Sequence, residues 1–115
     1  HKKNSAHSAR SILLIERAQL NQIIEKCRRG SKTDIDDLLG LLTSTVELTV
    51  RKNVDFYLGG ATNPEGLARL EHYLFHGSQI QRNYTTLFFA RRNEWPLIHR
   101  AYKLGLIDYQ QAYSR

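Results

Sequence analysis

Residues 9–30 read ARSILLIERAQLNQIIEKCRRG, and the spacing inside this stretch decides the fold. Ala9, Ile12, Leu13, Leu20, Ile23, Ile24 and Cys27 recur at steps of three and four. That period lines one stripe of a helix and does not fit the alternating faces of a strand. Arg28 and Arg29 suit the carbonyl end of such a helix, and Gly30 can take the left-handed conformation that closes it. The spacing predicts a first helix over about residues 5–29.

The same period continues downstream. Thr33 can cap a second helix, with Asp34, Asp36 and Asp37 beside the positive end of its dipole. Ile35, Leu38, Leu39, Leu42, Val46, Val50, Val54 and Tyr57 extend the stripe to Gly59-Gly60, which predicts a helix over 33–58. The β-branched residues within Thr43–Val50 weaken helix propensity, and a strand is the alternative there. Asn63-Pro64 is a third start, because proline costs nothing at the first helical position. Leu67, Leu70, Leu74, Gly77, Tyr84, Phe88 and Arg91 share one seam, so 64–92 reads as one long helix, with a break at Gly77 as the other reading. Asn93 reads as the cap of a short helix over 94–104. Asp108 and Gln111 have capping-box spacing for a last one over 108–114.

Three long antiparallel helices closed by two short ones predict an all-α helical bundle. At 115 residues the chain has room for one domain, 1–115. Tyr84, Phe88 and Trp95 fall at helical spacing and are expected to be largely buried. The apolar groups of the second half exceed what a thin bundle can cover, which points to crossing C-terminal helices or a subunit interface. A homodimer is the expected assembly, because closed twofold pairing is the commonest.

Composition narrows the function classes. Apolar residues make up 41% and charged residues 24%, an ordinary globular balance. No apolar run approaches the ~20 residues that a membrane-spanning helix needs, no apolar signal region follows the start, and the expected location is cytoplasmic. The single cysteine, Cys27, excludes an internal disulfide framework and lies on the apolar stripe, where it serves as a small core residue. Seventeen Lys and Arg against eleven Asp and Glu give a net charge of +6. Its distribution is uneven: residues 1–29 carry +5, 30–77 carry −3 and 78–115 carry +4. Two basic flanks around an acidic middle suit a polyanion, and the excess of arginine over lysine favours bidentate phosphate contacts.

Two sets of cations carry that expectation. Lys3, Arg10, Arg17 and Arg28 are spaced near whole numbers of turns, so they form a row that could follow a phosphate backbone. Arg82, Arg91, Arg92, Arg100 and Lys103 are interleaved with Tyr84, Trp95 and Tyr102, the composition expected where bases stack and phosphates pair. Other patterns carry less. His72 and His76 are four apart, which supplies half a zinc site, but Tyr73 stands where a metalloprotease motif needs Glu. Asp34, Asp36 and Asp37, with Glu47 and Asp55 standing alone, lack the repeated paired acids of a magnesium site. Gly59-Gly60 lacks the strand and lysine of a phosphate loop.

Arg92-Asn93 followed by His99 resembles the Arg-x(4–6)-His motif of HEPN ribonucleases, all-helical domains that dimerise so that two Arg/His pairs meet in a cleft. The resemblance covers residues 92–99. It implies metal-independent RNA cleavage, with His99 handling a proton at the 2′-hydroxyl and Arg92 stabilising the phosphate. The sequence as a whole predicts a small basic accessory protein that binds or helps to process nucleic acid, RNA or DNA, through phosphate contacts. It would need no cofactor, no metal and no membrane. The alternatives are a helical protein–protein interaction module, docking through Trp95–Ile107, and the HEPN-like ribonuclease.

Overall fold

Gly30 closes the first helix with φ of 62°, and its N–H reaches the Lys26 carbonyl at 2.8 Å. In the computed structural model, which describes residues 2–114 and the side chains of 9–114, this helix is α1 (Lys2–Arg29). Six more follow among the described residues: α2 (Lys32–Leu39), α3 (Leu48–Leu58), α4 (Pro64–His76), α5 (Gln79–Arg91), α6 (Trp95–Lys103) and α7 (Tyr109–Tyr113). No strand occurs among the described residues, so the fold is all-α.

The two later long helices expected from the sequence are each split. The expected helix over 33–58 is α2 and α3, joined by residues 40–47. Its cap is Ser31 and not Thr33: the Ser31 hydroxyl accepts from the Asp34 N–H at 3.1 Å, and the Asp34 carboxylate accepts from the Ser31 N–H at 3.2 Å. After Gly40 the chain meets Thr43, Ser44, Thr45 and Val46, poor helix formers in a row. The turn survives because Leu42 drops into the core, at 1% exposure. The expected helix over 64–92 breaks at Gly77, the second of the two readings. Gly77 is extended at φ −75°, ψ 176°, and Ser78 caps α5 through a reciprocal capping box with Gln81. A Cβ on Gly77 would lie 2.5 Å from the Tyr73 carbonyl, so glycine is required at the corner.

The short helices stand close to expectation. Asp108 and Gln111 form the capping box that their spacing predicts. Asn93 does not cap α6: it turns the chain in the left-handed region at φ 59°, and Glu94 takes the cap position. Phe88 is buried and Tyr84 half-buried, but Trp95, on the exposed first turn of α6, keeps 37% of its surface in solvent.

One cluster of buried side chains joins every helix. It runs from Ile23 and Cys27 through Ile35, Leu38, Leu39, Val54 and Leu58 to Leu70, Leu74, Phe88, Ile98 and Ala112. Polar ties cross it at the edges. Asp36 accepts from Arg69 Nε at 2.6 Å and from the Tyr73 hydroxyl at 2.7 Å, which joins α2 to α4. That arginine hydrogen bond, reinforced by Tyr73, holds the Asp36 carboxyl below the usual carboxylate range. Gln81 Nε2 donates to the Leu39 carbonyl at 2.9 Å, which joins α5 to the end of α2. The molecule is elongated, 58 × 27 × 21 Å, because the first half of α1 extends beyond this cluster. No helix among the described residues is long and apolar enough to cross a membrane.

Candidate functional site

The stripe of α1 behaves differently along its length. Ile23 and Cys27 are buried against the other helices, and burial, aided by the Asp34 charge, pushes the Cys27 thiol up to about 11. A thiol so raised and enclosed is inert as a nucleophile at neutral pH. Further toward the start, the covering helices end. Ile12, Leu13, Leu14 and Ile15 are exposed by 55–68%. Four consecutive residues at about 100° per step sweep the whole circumference of a helix. No single neighbouring face could therefore bury all four.

Beside this segment lies an open groove of about 570 Å³. One wall is α1, with Leu13, Leu14, Leu20 and Ile23; the other is the start of α3, with Glu47, Thr49, Val50 and Asn53. Arg10, Arg17 and Glu16 also line it. Leu48, in the first turn of α3, is 51% exposed close by. An apolar floor with charges of both signs is the composition of a contact surface.

The cations expected to bind a polyanion are mostly committed inside the fold. Arg28 donates to Glu25, Nε to Oε2 at 3.0 Å. Arg82 donates to the carbonyls of Leu106 and Gly77, each at 2.8 Å. Arg91 makes a bidentate pair with Asp55 at 3.0 and 2.8 Å, which joins α5 to α3. Arg92 reaches the carbonyl of Gly59 at 3.0 Å, bonds that of Ala61, and stacks its guanidinium 4.5 Å from the Phe88 ring. Arg100 pairs with Glu71 at 3.3 Å and lies 4.4 Å from the Phe75 ring. Among the described residues Arg10, Arg17 and Lys103 have no ion pair, and the side chain of Lys3 lies outside them. The acidic middle of the sequence thus meets the basic flanks within one molecule: Asp55 meets Arg91 and Glu71 meets Arg100.

Arg92 and His99 face different partners. Arg92 follows α5 and holds the loop after α3, whereas His99 sits on α6 with Nδ1 2.8 Å from the Tyr113 hydroxyl. The two residues do not share one helix, since Asn93 turns the chain and Pro96 opens α6. With Arg92 held by carbonyls, RNA incubated in EDTA is expected to remain intact with the wild-type protein and with His99→Ala alike. Cleavage lost specifically in His99→Ala would reinstate that reaction.

His72 and His76 lie ring against ring, 4.9 Å between centroids, and among the described residues no third ligand converges on them. The apolar segment expected to dock a partner, Trp95–Ile107, is divided: Ile98, Ala101 and Ile107 are buried and Leu97, Tyr102 and Leu106 half-buried, while Trp95 and Leu104 are exposed but separated by more than two helical turns. Neither a known protein family nor a curated protein nor a solved structure matches the chain.

Proposed function

We propose that the chain is a helical protein-interaction module that docks through the first half of α1 and the adjoining start of α3. The observation that carries this reading is the exposed run Ile12–Ile15 on a helix whose later half is core. Burying such residues stabilises by roughly 1.5–3 kcal/mol each, which a folded chain forgoes without a partner. The cations support polyanion binding less well. Neutral exposed pairs such as Arg100–Glu71 leave little field for phosphate at those arginines.

The docking reading predicts that the exposed run contributes nothing to folding. Leu13→Glu and Leu14→Glu, each unfolded thermally in dilute solution, are expected to stay within about 2 °C of the wild-type Tm, as surface substitutions do. A fall beyond ~8 °C, the mark of a lost core contact of about 2 kcal/mol, would remove the reading. In a gel-shift series at ~50 mM salt, RNA and DNA are expected to give no discrete complex. A discrete complex abolished by Arg10→Ala/Arg17→Ala would favour the polyanion reading instead.

A further inference from the structure

We infer that the partner docking on this face is a second copy of the same chain, with the first half of one α1 packed against the α1–α3 groove of the other; the inference rests on the docking reading. Three observations lead there. The first is shape. The α1 wall of the groove is apolar, with Leu13, Leu14, Leu20 and Ile23, and the α3 wall sets Val50 among Glu47, Thr49 and Asn53, which suits an apolar helix with polar edges about three turns long. Such a helix is present in the molecule itself: the uncovered segment of α1, whose Leu13 faces the groove and whose Ile12 and Leu14 lie about 100° to either side. Two such segments, each flanked by its own α3, make a four-helix core that covers Leu13 at the centre and Ile12 and Leu14 at the flanks. Ile15, about 200° from Leu13, lies on the far side of the helix, outside the contact.

The second is charge. Arg10 and Arg17 line the groove with Glu16 and Glu47, two of each sign. That balance gives no net field for a strongly acidic or basic partner, whereas a twofold copy offers each arginine a glutamate and each glutamate an arginine.

The third is area. Residues 9–20 span about 18 Å of helix. With Leu48 in the first turn of α3 they form the contact strip, and a twofold pair must bury ~1,000 Å² in total, the lower bound for a specific interface. One copy alone leaves Ile12, Leu13, Leu14 and Leu48 exposed by 51–64%. The size places the dimer among weak, reversible ones.

The full chain at about 100 µM is expected to sediment as a dimer, twice the 13.3 kDa chain mass, and to dissociate on dilution. Leu13→Glu should weaken the pairing at least ~100-fold with its helical circular dichroism unchanged, while Ile15→Lys should leave it intact. Arg10→Glu/Arg17→Glu and Glu16→Arg/Glu47→Arg should each be monomeric alone and pair when mixed. A wild-type monomer at 100 µM, a dimer indifferent to Leu13→Glu, or a mixture that fails to pair overturns the inference. The docking reading fails separately, through the thermal test of Leu13→Glu: a monomeric wild type with a thermally silent Leu13→Glu leaves the face in place for a different protein.

Discussion

Gly66→Ala is expected to be the most damaging single substitution in the fold, lowering stability by more than about 3 kcal/mol and Tm by over ~10 °C. Gly66 is buried in the first turn of α4, where a Cβ would fall deep inside contact with the Gly30 carbonyl and 3.2 Å from Ile35 Cγ1. Nothing there can yield cheaply. The Gly30 carbonyl belongs to a corner held in the left-handed region, and polar bonds tie the same corner to α4. Asn63 Nδ2 donates to the Arg29 carbonyl at 3.1 Å, and Glu65 accepts from the Lys32 N–H at 2.8 Å. Alanine gains about 1 kcal/mol of helix propensity over glycine, which the backbone clash outweighs. Gly60→Ala is the control. Its nearest new contact is an ordinary 3.8 Å, and its expected effect is within about 0.5 kcal/mol. Equal melting of the two variants would show that the α1–α2 corner and α4 do not touch as described.

Helix ends were legible where a residue type has one local use. Gly30 closes a helix because its φ of 62° is cheap only for glycine, and Asp108 caps one because its carboxylate meets the Gln111 N–H at 2.7 Å. The breaks at 40–47 and Gly77 were harder to read because apolar period reports only which side faces the core. Leu39, Leu42 and Val54 all point inward across the loop, so the stripe runs on although the helix does not. The signal for the break at Gly77 was local, a serine with a polar partner three residues on at Ser78/Gln81, whereas α3 begins at Glu47 with no side-chain cap to announce it.

The site was legible to a smaller degree. Of the row Lys3, Arg10, Arg17 and Arg28 read from the spacing, Arg10 and Arg17 line one groove, whereas Arg28 lies outside it beside Glu25. Sequence sums of charge could not show that Asp55 would neutralise Arg91, 36 residues away, or that backbone carbonyls would take Arg82 and Arg92. The exposed run was available all along. Ile12, Leu13, Leu14 and Ile15 are consecutive, and four apolar neighbours in a helix cannot share one face. A stripe count records their presence and misses that some must point away.

Asp34 should govern the acid limit of stability. Its carboxylate is buried at 6% exposure and accepts from Arg29 Nη2 at 3.0 Å, from the Ser31 hydroxyl at 2.7 Å and from the Ser31 N–H at 3.2 Å. The Arg29 guanidinium first, and the Ser31 bonds after it, hold the carboxyl down at about 2, against 3.8 for an ordinary aspartate. A folded pKa below the unfolded one means that the native state binds the proton less readily. The contribution is therefore fully present above about pH 4 and is lost as pH falls from 3.8 toward 2. Asp34→Ala removes the capping box and is expected to cost about 2 kcal/mol near neutrality. Asp34→Asn keeps an acceptor for the Ser31 N–H and should cost less. The stability gap between wild type and Asp34→Asn, followed by urea unfolding, should be flat from pH 7 to 5 and close between pH 4 and 2. A gap that persists unchanged at pH 2 would mean that the ionised carboxylate does not hold the α1–α2 corner, and the bonds that seat Gly66 against Gly30 would lose their electrostatic support with it.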